Sequence, residues 1–308
     1  MDKIAVLMST YNGQKYLREQ IDSILNQVDV YFELFIRDDG STDDTVKIIT
    51  EYVDKYSNIH FERGENLGVG NSFMNLLYSA PASFDYYSFA DQDDIWLPNK
   101  LNEGVKLLKE SGKYLYVSNQ ENVDKDGNSL GLRWEINDKR VFLTPEGIIS
   151  SNVLCGCTMI MTGNFAKLIC EENRRPSDAV LKSKNHDGWI AVVAAVYNGL
   201  IYDDRAFIKY RQHGDNVVGS YKQSLRQRIN QRRKKLFNKD LRCIRSRESR
   251  EICEKFAEVA SEFFLLQICA KTETHNDRKD IIKHSAELRK FTGEGKFSFK
   301  LKVWLGFF

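Results

Sequence analysis

Residues 3–27 read KIAVLMSTYNGQKYLREQIDSILNQ, and within them the hydrophobic period changes once. Ile4–Met8 is a continuous apolar run of strand length, the pattern of a strand covered on both faces of a parallel sheet. After the polar STYNG, Leu17, Ile21, Ile24 and Leu25 fall at i, i+4, i+7 and i+8, which is one face of a helix. The same rhythm repeats at once. ELFIR (33–37) reads as a second strand and runs into DDGSTDDT, followed by a helix with Val46, Ile49, Val53 and Tyr56 on one side. Ser41 or Thr42 is placed to cap that helix, and Asp43 and Asp44 suit its positive N-terminal end. Strand, loop, helix, repeated, predicts an open α/β sheet that binds its ligands at the carboxyl ends of the strands.

Three further strands are expected at YYSFA (86–90), YLYVS (114–118) and CTMIM (157–161), with a helix around GWIAVVAAVYN (188–198). From about residue 222 the pattern turns to long charged helical stretches with few turn signals. This divides the chain into an α/β domain, 1–220, and a basic, mainly helical region, 221–308. The 308 residues, 42% hydrophobic and 29% charged with four prolines, are those of a globular protein with a real core. A net charge of +2 hides an asymmetry: residues 222–250 carry 12 Lys or Arg against two acids, which leaves the remainder at −8. No signal peptide is read at MDKIAVLMST, so a cytoplasmic protein is expected. No run reaches the ~18 apolar residues of a membrane-spanning helix. Of six cysteines only Cys155 and Cys157 are close in sequence, and buried free thiols are expected rather than a zinc framework.

The strand ends carry the chemistry. YYSFADQDDIW (86–96) drives an apolar strand into Asp91, Asp93 and Asp94. Carboxylates at i and i+2 project to the same side of a strand end and can share one hard cation, Mg²⁺ or Mn²⁺, which keeps positions open for phosphate oxygens. Acids at a strand end are more often a solvated turn or a helix cap. Here, however, Asp38 and Asp39 end the preceding strand, where a carboxylate can accept from a nucleotide's imide or ribose. STYNG ends the first, with the Tyr11 ring able to stack on a base and Thr10 offering a hydroxyl.

Six ordered motifs, STYNGQKYLREQIDSIL, DDGSTDDT, ENLGVGNSF, DQDDIW, HDGW and RQHGDNVVG, resemble the family 2 glycosyltransferases with the GT-A fold, over about residues 3–220. The resemblance implies a Rossmann-like, mixed but mainly parallel sheet flanked by helices, here with a C-terminal helical extension. It also implies an enzyme that moves a sugar from a nucleoside diphosphate to an acceptor hydroxyl, inverting the anomeric centre. DQDD followed by GCTM, HDGW and QHGDN is most similar to bacterial rhamnosyltransferases that use dTDP-rhamnose to build cell-surface polysaccharide.

Residue by residue, the resemblance assigns Thr10, Tyr11, Asn12 and Asp39 to the nucleoside, with Asp38 and Asn66 nearby, and Asp91 and Asp93 to ribose, diphosphate and metal. Asp93 is the first choice as direct metal ligand, while Asp94 either faces the sugar or caps the segment after it. The family's base position falls on Asp187, beside His186 as an acceptor-site neighbour; without the family, Asp187 reads as a helix N-cap. His213 is expected to bind the diphosphate or complete the metal shell, and Arg211 to neutralise the departing phosphate.

Two other readings share these features. A sugar-1-phosphate nucleotidyltransferase has the same α/β plan, but opens with a Gly-rich loop bearing Arg and Lys, unlike STYNGQKY. A non-catalytic nucleotide-sugar-binding membrane scaffold would not be expected to keep Asp91, Asp93 and Asp187. In KQSLRQRINQRRKKLFN, Leu225, Ile229 and Leu236 share a helical face among basic residues, as in helices that lie on anionic membranes. Phe297, Phe299, Trp304, Phe307 and Phe308 follow beside lysines, so an anionic membrane surface and a lipid-linked saccharide acceptor are the expected partners of a dTDP- or UDP-sugar enzyme. Nucleic acid is not expected, because the basic strip lacks interleaved aromatics.

Overall fold

The computed structural model describes residues 2–137, 143–150, 154–213, 244–271 and 274–304. They cluster into two compact units. The first draws on residues up to 137, 154–172 and 199–213, the second on 143–150, 173–198 and those from 244 onward. The boundary expected near residue 220 lies outside the described residues.

The first unit is built on one sheet. Its strands are β1 (Lys3–Thr10), β2 (Tyr31–Asp38), β3 (Ile59–Arg63), β4 (Tyr86–Ala90), β5 (Ile95–Trp96), β6 (Leu115–Val123), β7 (Ser129–Leu132), β8 (Met159–Thr162) and β9 (Leu200–Arg211). The order is β3-β2-β1-β4-β8-β6-β9-β5, with β7 pairing β6. The first four strands in that order are parallel; β8 enters antiparallel to β4 and β6, and β9 runs parallel to β6. Parallel ladders carry most of the paired positions. β1 lies between β2 and β4, and Ile4, Ala5, Val6, Leu7 and Met8 have no exposed surface, which is why its apolar run does not alternate.

Helix α1 (Leu17–Leu25) buries Leu17, Ile21 and Ile24 as its spacing required. In α2 (Thr45–Lys55) the buried face is rotated from the expected one: Thr45, Ile48, Ile49 and Tyr52 point inward, while Val46, Val53 and Tyr56 are half-buried. Neither Ser41 nor Thr42 caps it. The N-cap position is Asp44, and Asp43 accepts from the Thr45 amide at 3.0 Å, because Ser41 is used elsewhere. Two further helices are α3 (Val69–Ser79) and α4 (Lys100–Ser111).

The second unit holds α5 (Pro145–Ser150) and α7 (Asp178–Val196), with α6 (Gly163–Cys170) belonging to the first. From residue 244 it continues as α8 (Ile244–Lys255), α9 (Ala257–Ala260), α10 (Phe264–Ala270), α11 (His275–Lys283), α12 (Ser285–Thr292) and α13 (Lys296–Trp304). The long helices expected here are cut into short ones. Thr274 and Asp277 form a capping box that starts α11, and Gly293 at φ 62° ends α12. Cys269, Ile281, Leu288, Phe299 and Val303 form the apolar cluster these helices share. The five described cysteines are all free, but Cys155, Cys170 and Cys253 are half-buried where full burial was expected.

The chain turns from β8 into α6 at Gly163, where a Cβ would stand 2.4 Å from the Phe84 carbonyl oxygen and 3.2 Å from that of Asp85. In an open helix Gly→Ala stabilises by about 1 kcal/mol. Here backbone blocks the added methyl, so Gly163→Ala is expected to destabilise by ~1–3 kcal/mol, read as a lower urea midpoint at unchanged slope. A raised midpoint would show that the close approach is not a constraint.

Candidate active site

The ends of β1, β2 and β4 meet through side chains that bond to backbone. Asp38 is fully buried and accepts from the Thr10 hydroxyl at 3.2 Å and the Ser41 amide at 2.9 Å. Asp39, 3% exposed, pairs with Arg37 and accepts from the amides of Leu67 and Gly68 at 2.8 and 2.9 Å. Asn12, at φ 49°, accepts from the Thr42 amide and donates its own amide to Ser41. Thr10, Asn12, Asp38 and Asp39, all expected at the nucleoside, therefore lace the loops together. Tyr11 is 48% exposed at the same strand end, with its ring available for stacking, and Asn66 is exposed in the β3–α3 loop.

Gln92 holds the turn after β4 to the turn after β1. Its side-chain amide accepts from the Tyr11 amide at 2.9 Å and donates to the Tyr11 carbonyl at 3.0 Å. The clamp passes close over Gly13, where a Cβ would strike the Gln92 amide. The sequence carries no signal for this, since the middle residue of DQD reads as a spacer.

The three acids of this turn have different surroundings. Asp93 is partly exposed and lies 2.7 Å from His213 Nε2, which joins two motifs 120 residues apart. Asp94 is fully buried and accepts from the Arg211 amide at 3.2 Å. Burial raises its pKa well above the usual carboxylate range, and repulsion from Asp93 and Asp91 adds to this. Asp91 is half-buried, and ligand atoms of Asp91, Asp94 and Cys157 lie within 4.8 Å of one another. Cys157 shares a hydrogen bond with Cys155, and that bond, then burial, then the carboxylates hold it as a thiol. Its sulfur is thus a poor ligand, since metals take the thiolate.

Arg211, expected at the departing phosphate, is 2% exposed and occupied. It donates to the carbonyls of Asp93 and Lys125 at 3.0 Å each, pairs with Glu19 and lies over the Tyr16 ring. It shapes the acidic turn from behind. Lys100, which the sequence presents as an ordinary helix-start lysine, is fully buried 3.8 Å above the Trp96 ring and donates to Ser88. Burial pushes its pKa down to about 7, partly offset by Cys157 and Asp94.

In the second unit, α7 breaks at Asn185, whose φ of 57° and ψ of −178° are not helical, and restarts through His186 and Asp187. Asp187 is half-buried and accepts from the Gly188 amide at 2.7 Å. It is the second residue of the restarted helix, not the non-helical residue that an N-cap would be. His186 is 4% exposed and burial pushes its pKa down to about 3, so its imidazole is neutral and weakly basic.

Residues 5–168, more than half of the chain, match the profile described as Glycosyl transferase family 2. The chain belongs to this family. It is 32% identical over 222 residues to the dTDP-rhamnosyl transferase RfbG of Shigella flexneri, covering 69% of this chain and 74% of that one. It is 28% identical over 217 residues to the chondroitin synthase of Escherichia coli, of which it spans 30%. In fold, this family 2 glycosyltransferase is similar to S. aureus TarS 1-349 in complex with UDP-GlcNAc, at a TM-score of 0.53 and 19% identity, covering 94% of this chain and 81% of that one. It is also similar to the mannosyltransferase PcManGT from Pyrobaculum calidifontis in complex with GDP-Man and Mn²⁺, at a TM-score of 0.51 and 13% identity, covering 98% and 86%. The GT-A architecture expected from the motifs is the one observed.

Removing the Gln92 clamp should free the β1 loop without unfolding the sheet. Gln92→Ala is expected to cost ~1–2 kcal/mol, two modest hydrogen bonds, and to speed hydrogen exchange at the Tyr11 amide by about tenfold. Unchanged exchange in the peptide covering residues 9–14 would show that Gln92 does not hold this loop.

Proposed function

We propose that this glycosyltransferase moves a sugar, rhamnose from dTDP-rhamnose, onto an acceptor hydroxyl with inversion, in the synthesis of a cell-surface polysaccharide. The observation that carries the reading is the Asp93–His213 pair, set among Asp91 and Asp94 at the carboxyl end of a parallel sheet. The donor choice is supported by the relative named as a dTDP-rhamnosyl transferase; a UDP-sugar is the second candidate, supported by UDP-GlcNAc in the complex of a protein with the same fold.

Two carboxylates and an imidazole are donors that suit a divalent cation, although among the described residues the donor atoms lying within 4.8 Å of one another are those of Asp91, Asp94 and Cys157. Burial first, then the Asp93 and Asp91 carboxylates, raise the proton affinity of Asp94, and a cation would relieve the repulsion among them. Asp93, Asp91 and His213 would hold it, carboxylate with imidazole suiting Mn²⁺ and carboxylate alone suiting Mg²⁺. When bound, it neutralises charge on the departing diphosphate. Tyr11 stacks on the base, while Asn66 lies near the nucleotide. Thr10, Asn12, Asp38 and Asp39 act on the nucleoside indirectly, by fixing the loops that bear Tyr11 and Asn66. Arg211 positions Asp93 through its carbonyl.

Asp187 is the general base of this reading. As the acceptor oxygen bonds to the anomeric carbon and the bond to the diphosphate oxygen breaks, the hydroxyl proton passes to the Asp187 carboxylate. His186, neutral and buried, serves as an acceptor-side neighbour rather than as the base. The acceptor is a lipid-linked saccharide at the cytoplasmic face of an anionic membrane. The basic strip expected to reach that membrane falls mostly in residues outside those described. Among the described residues no helix is long and apolar enough to cross a membrane.

Asp93→Asn is expected to abolish the metal dependence of nucleotide binding and most turnover while leaving the fold intact. Calorimetry showing equal metal affinity in both proteins would sink the metal assignment. Asp187→Asn, nearly isosteric, is expected to lower turnover by ~10²- to 10⁴-fold, the usual worth of a general base, with donor affinity unchanged. Near-normal turnover would return Asp187 to a helix-start role.

A further inference from the structure

Phe307 and Phe308 lie outside the described residues; of the other C-terminal aromatic residues, α13 sends Phe299 in one direction and Phe297 and Trp304 in another. Phe299 and Val303 are each 1% exposed and complete the cluster with Cys269, Ile281 and Leu288. Phe297, Leu301 and Trp304, at i, i+4 and i+7, share the other face and are 81%, 42% and 60% exposed. A stripe of Phe, Leu and Trp on solvent costs hydration free energy and gains only weak i, i+3 and i, i+4 contacts within the helix. No acid lies in KFSFKLKVW. On the helical wheel Lys300 falls beside the stripe and Lys296 beside Val303, while Lys302 on another side is paired with Glu294 at 2.9 Å.

We infer that the Phe297–Leu301–Trp304 face of α13 inserts into the interfacial layer of an anionic lipid bilayer, with Lys300 on its phosphates. Aromatic and aliphatic side chains flanked by lysines, on a short helix too short to span, are the composition of helices that lie in the membrane plane. Charge complementarity selects the occupant: Lys300 beside the stripe and three lysines with no acid on the helix favour a negative surface, and the apolar stripe requires one with a hydrocarbon interior. The basic sequence at 222–250 has the same preference. This rests on the reading that the enzyme works at a membrane, and it assigns the residues that enter the lipid.

The test uses the full chain and sedimentation with vesicles of phosphatidylcholine alone or mixed with phosphatidylglycerol, at low and high salt. The native chain should bind the mixed vesicles more tightly and lose part of that affinity in high salt. F297S/W304S should weaken binding by at least about tenfold, since two large side chains no longer leave water. L301S should weaken it less. Bromine-labelled lipid tails should quench Trp304 fluorescence, measured as the difference between the native chain and W304F. Equal binding of the native and double-variant chains, or no quenching of Trp304, overturns the inference. A monomer–dimer equilibrium in vesicle-free solution that F297S/W304S abolishes would assign the face to a second copy and also overturn it. Donor hydrolysis without vesicles separates the two readings: its absence from the native chain counts against the transferase function, while the vesicle results judge α13 alone. F299S, on the buried face, should instead lower the melting temperature.

Discussion

The buried pair of Arg37 and Asp39 is the constraint on which the strand ends depend. Each is 3% exposed, and two charges taken out of water are tolerated only when hydrogen bonds satisfy what the pair leaves over. Arg37 spends its remaining donors on the Ser72 hydroxyl and the Glu65 carbonyl, while Asp39 takes the amides of Leu67 and Gly68. These partners lie at the start of α3 and in the loop before it, so the pair sets where α3 begins against the end of β2. Gly68, at φ 79°, is the N-cap of α3 and supplies no side chain of its own. Loss of Arg37 would leave Asp39 buried without its cation, and loss of Asp39 would leave Arg37 with only the more exposed Glu62 at 3.6 Å; either is costlier than loss of an exposed pair.

From that anchor the neighbouring loops are fixed in turn, and polar residues are divided between holding and presenting. The Ser41 hydroxyl joins Asp38 to the Asn12 amide, Thr45 joins Asp43 to the Gly13 amide, and Gln92 closes the third side on Tyr11. Most of the residues with the right chemistry for a ligand are thus used on backbone groups that parallel strand ends leave without partners. Among the described residues, Tyr11, Asn66 and, in smaller part, Asp91, Asp93 and His213 keep exposed surface at this edge. Preorganisation of this kind is what a site needs, since side chains locked by surrounding hydrogen bonds hold their geometry when a ligand arrives.

The sequence was legible where local pattern and tertiary environment agree. β1 and α1 could be read from period alone because both bury the residues their pattern selects. β9 was missed because Asp203, Asp204 and Arg205 interrupt its apolar pattern. The sheet absorbs them through a register shift beside Ser118 and Asn119, and Arg205 pairs with Asp203 and Glu103. The break at Asn185 carries no Gly or Pro to announce it. The acids at the strand ends are visible in the sequence, but the side chains and amides that each of them meets are not. Whether a carboxylate meets a ligand or an amide is decided by residues dozens of positions away, as with Asp39 and Leu67, or Arg211 and Asp93. Lys100 shows the same limit in reverse: composition places it on the surface, and the pocket beneath Trp96 and Ser88 takes it inside.

The graded burial of Asp91, Asp93 and Asp94 gives one short motif three electrostatic characters. Asp94, out of water and beside two other acids, favours its protonated form. Asp91 and Asp93, in the same turn, keep contact with solvent. The Asp93 carboxylate lies 2.7 Å from the His213 imidazole, and Arg211 holds the same turn by its backbone while its own charge is met by Glu19. Arg211 therefore fixes the turn without placing its compensated charge where a phosphate would have to compete for it. The negative potential is concentrated on the two acids that reach solvent, where a cation approaching from water would meet it. Burying the third acid thus does more than support the loop: it leaves the Asp91 and Asp93 carboxylates as the ones the turn offers to solvent.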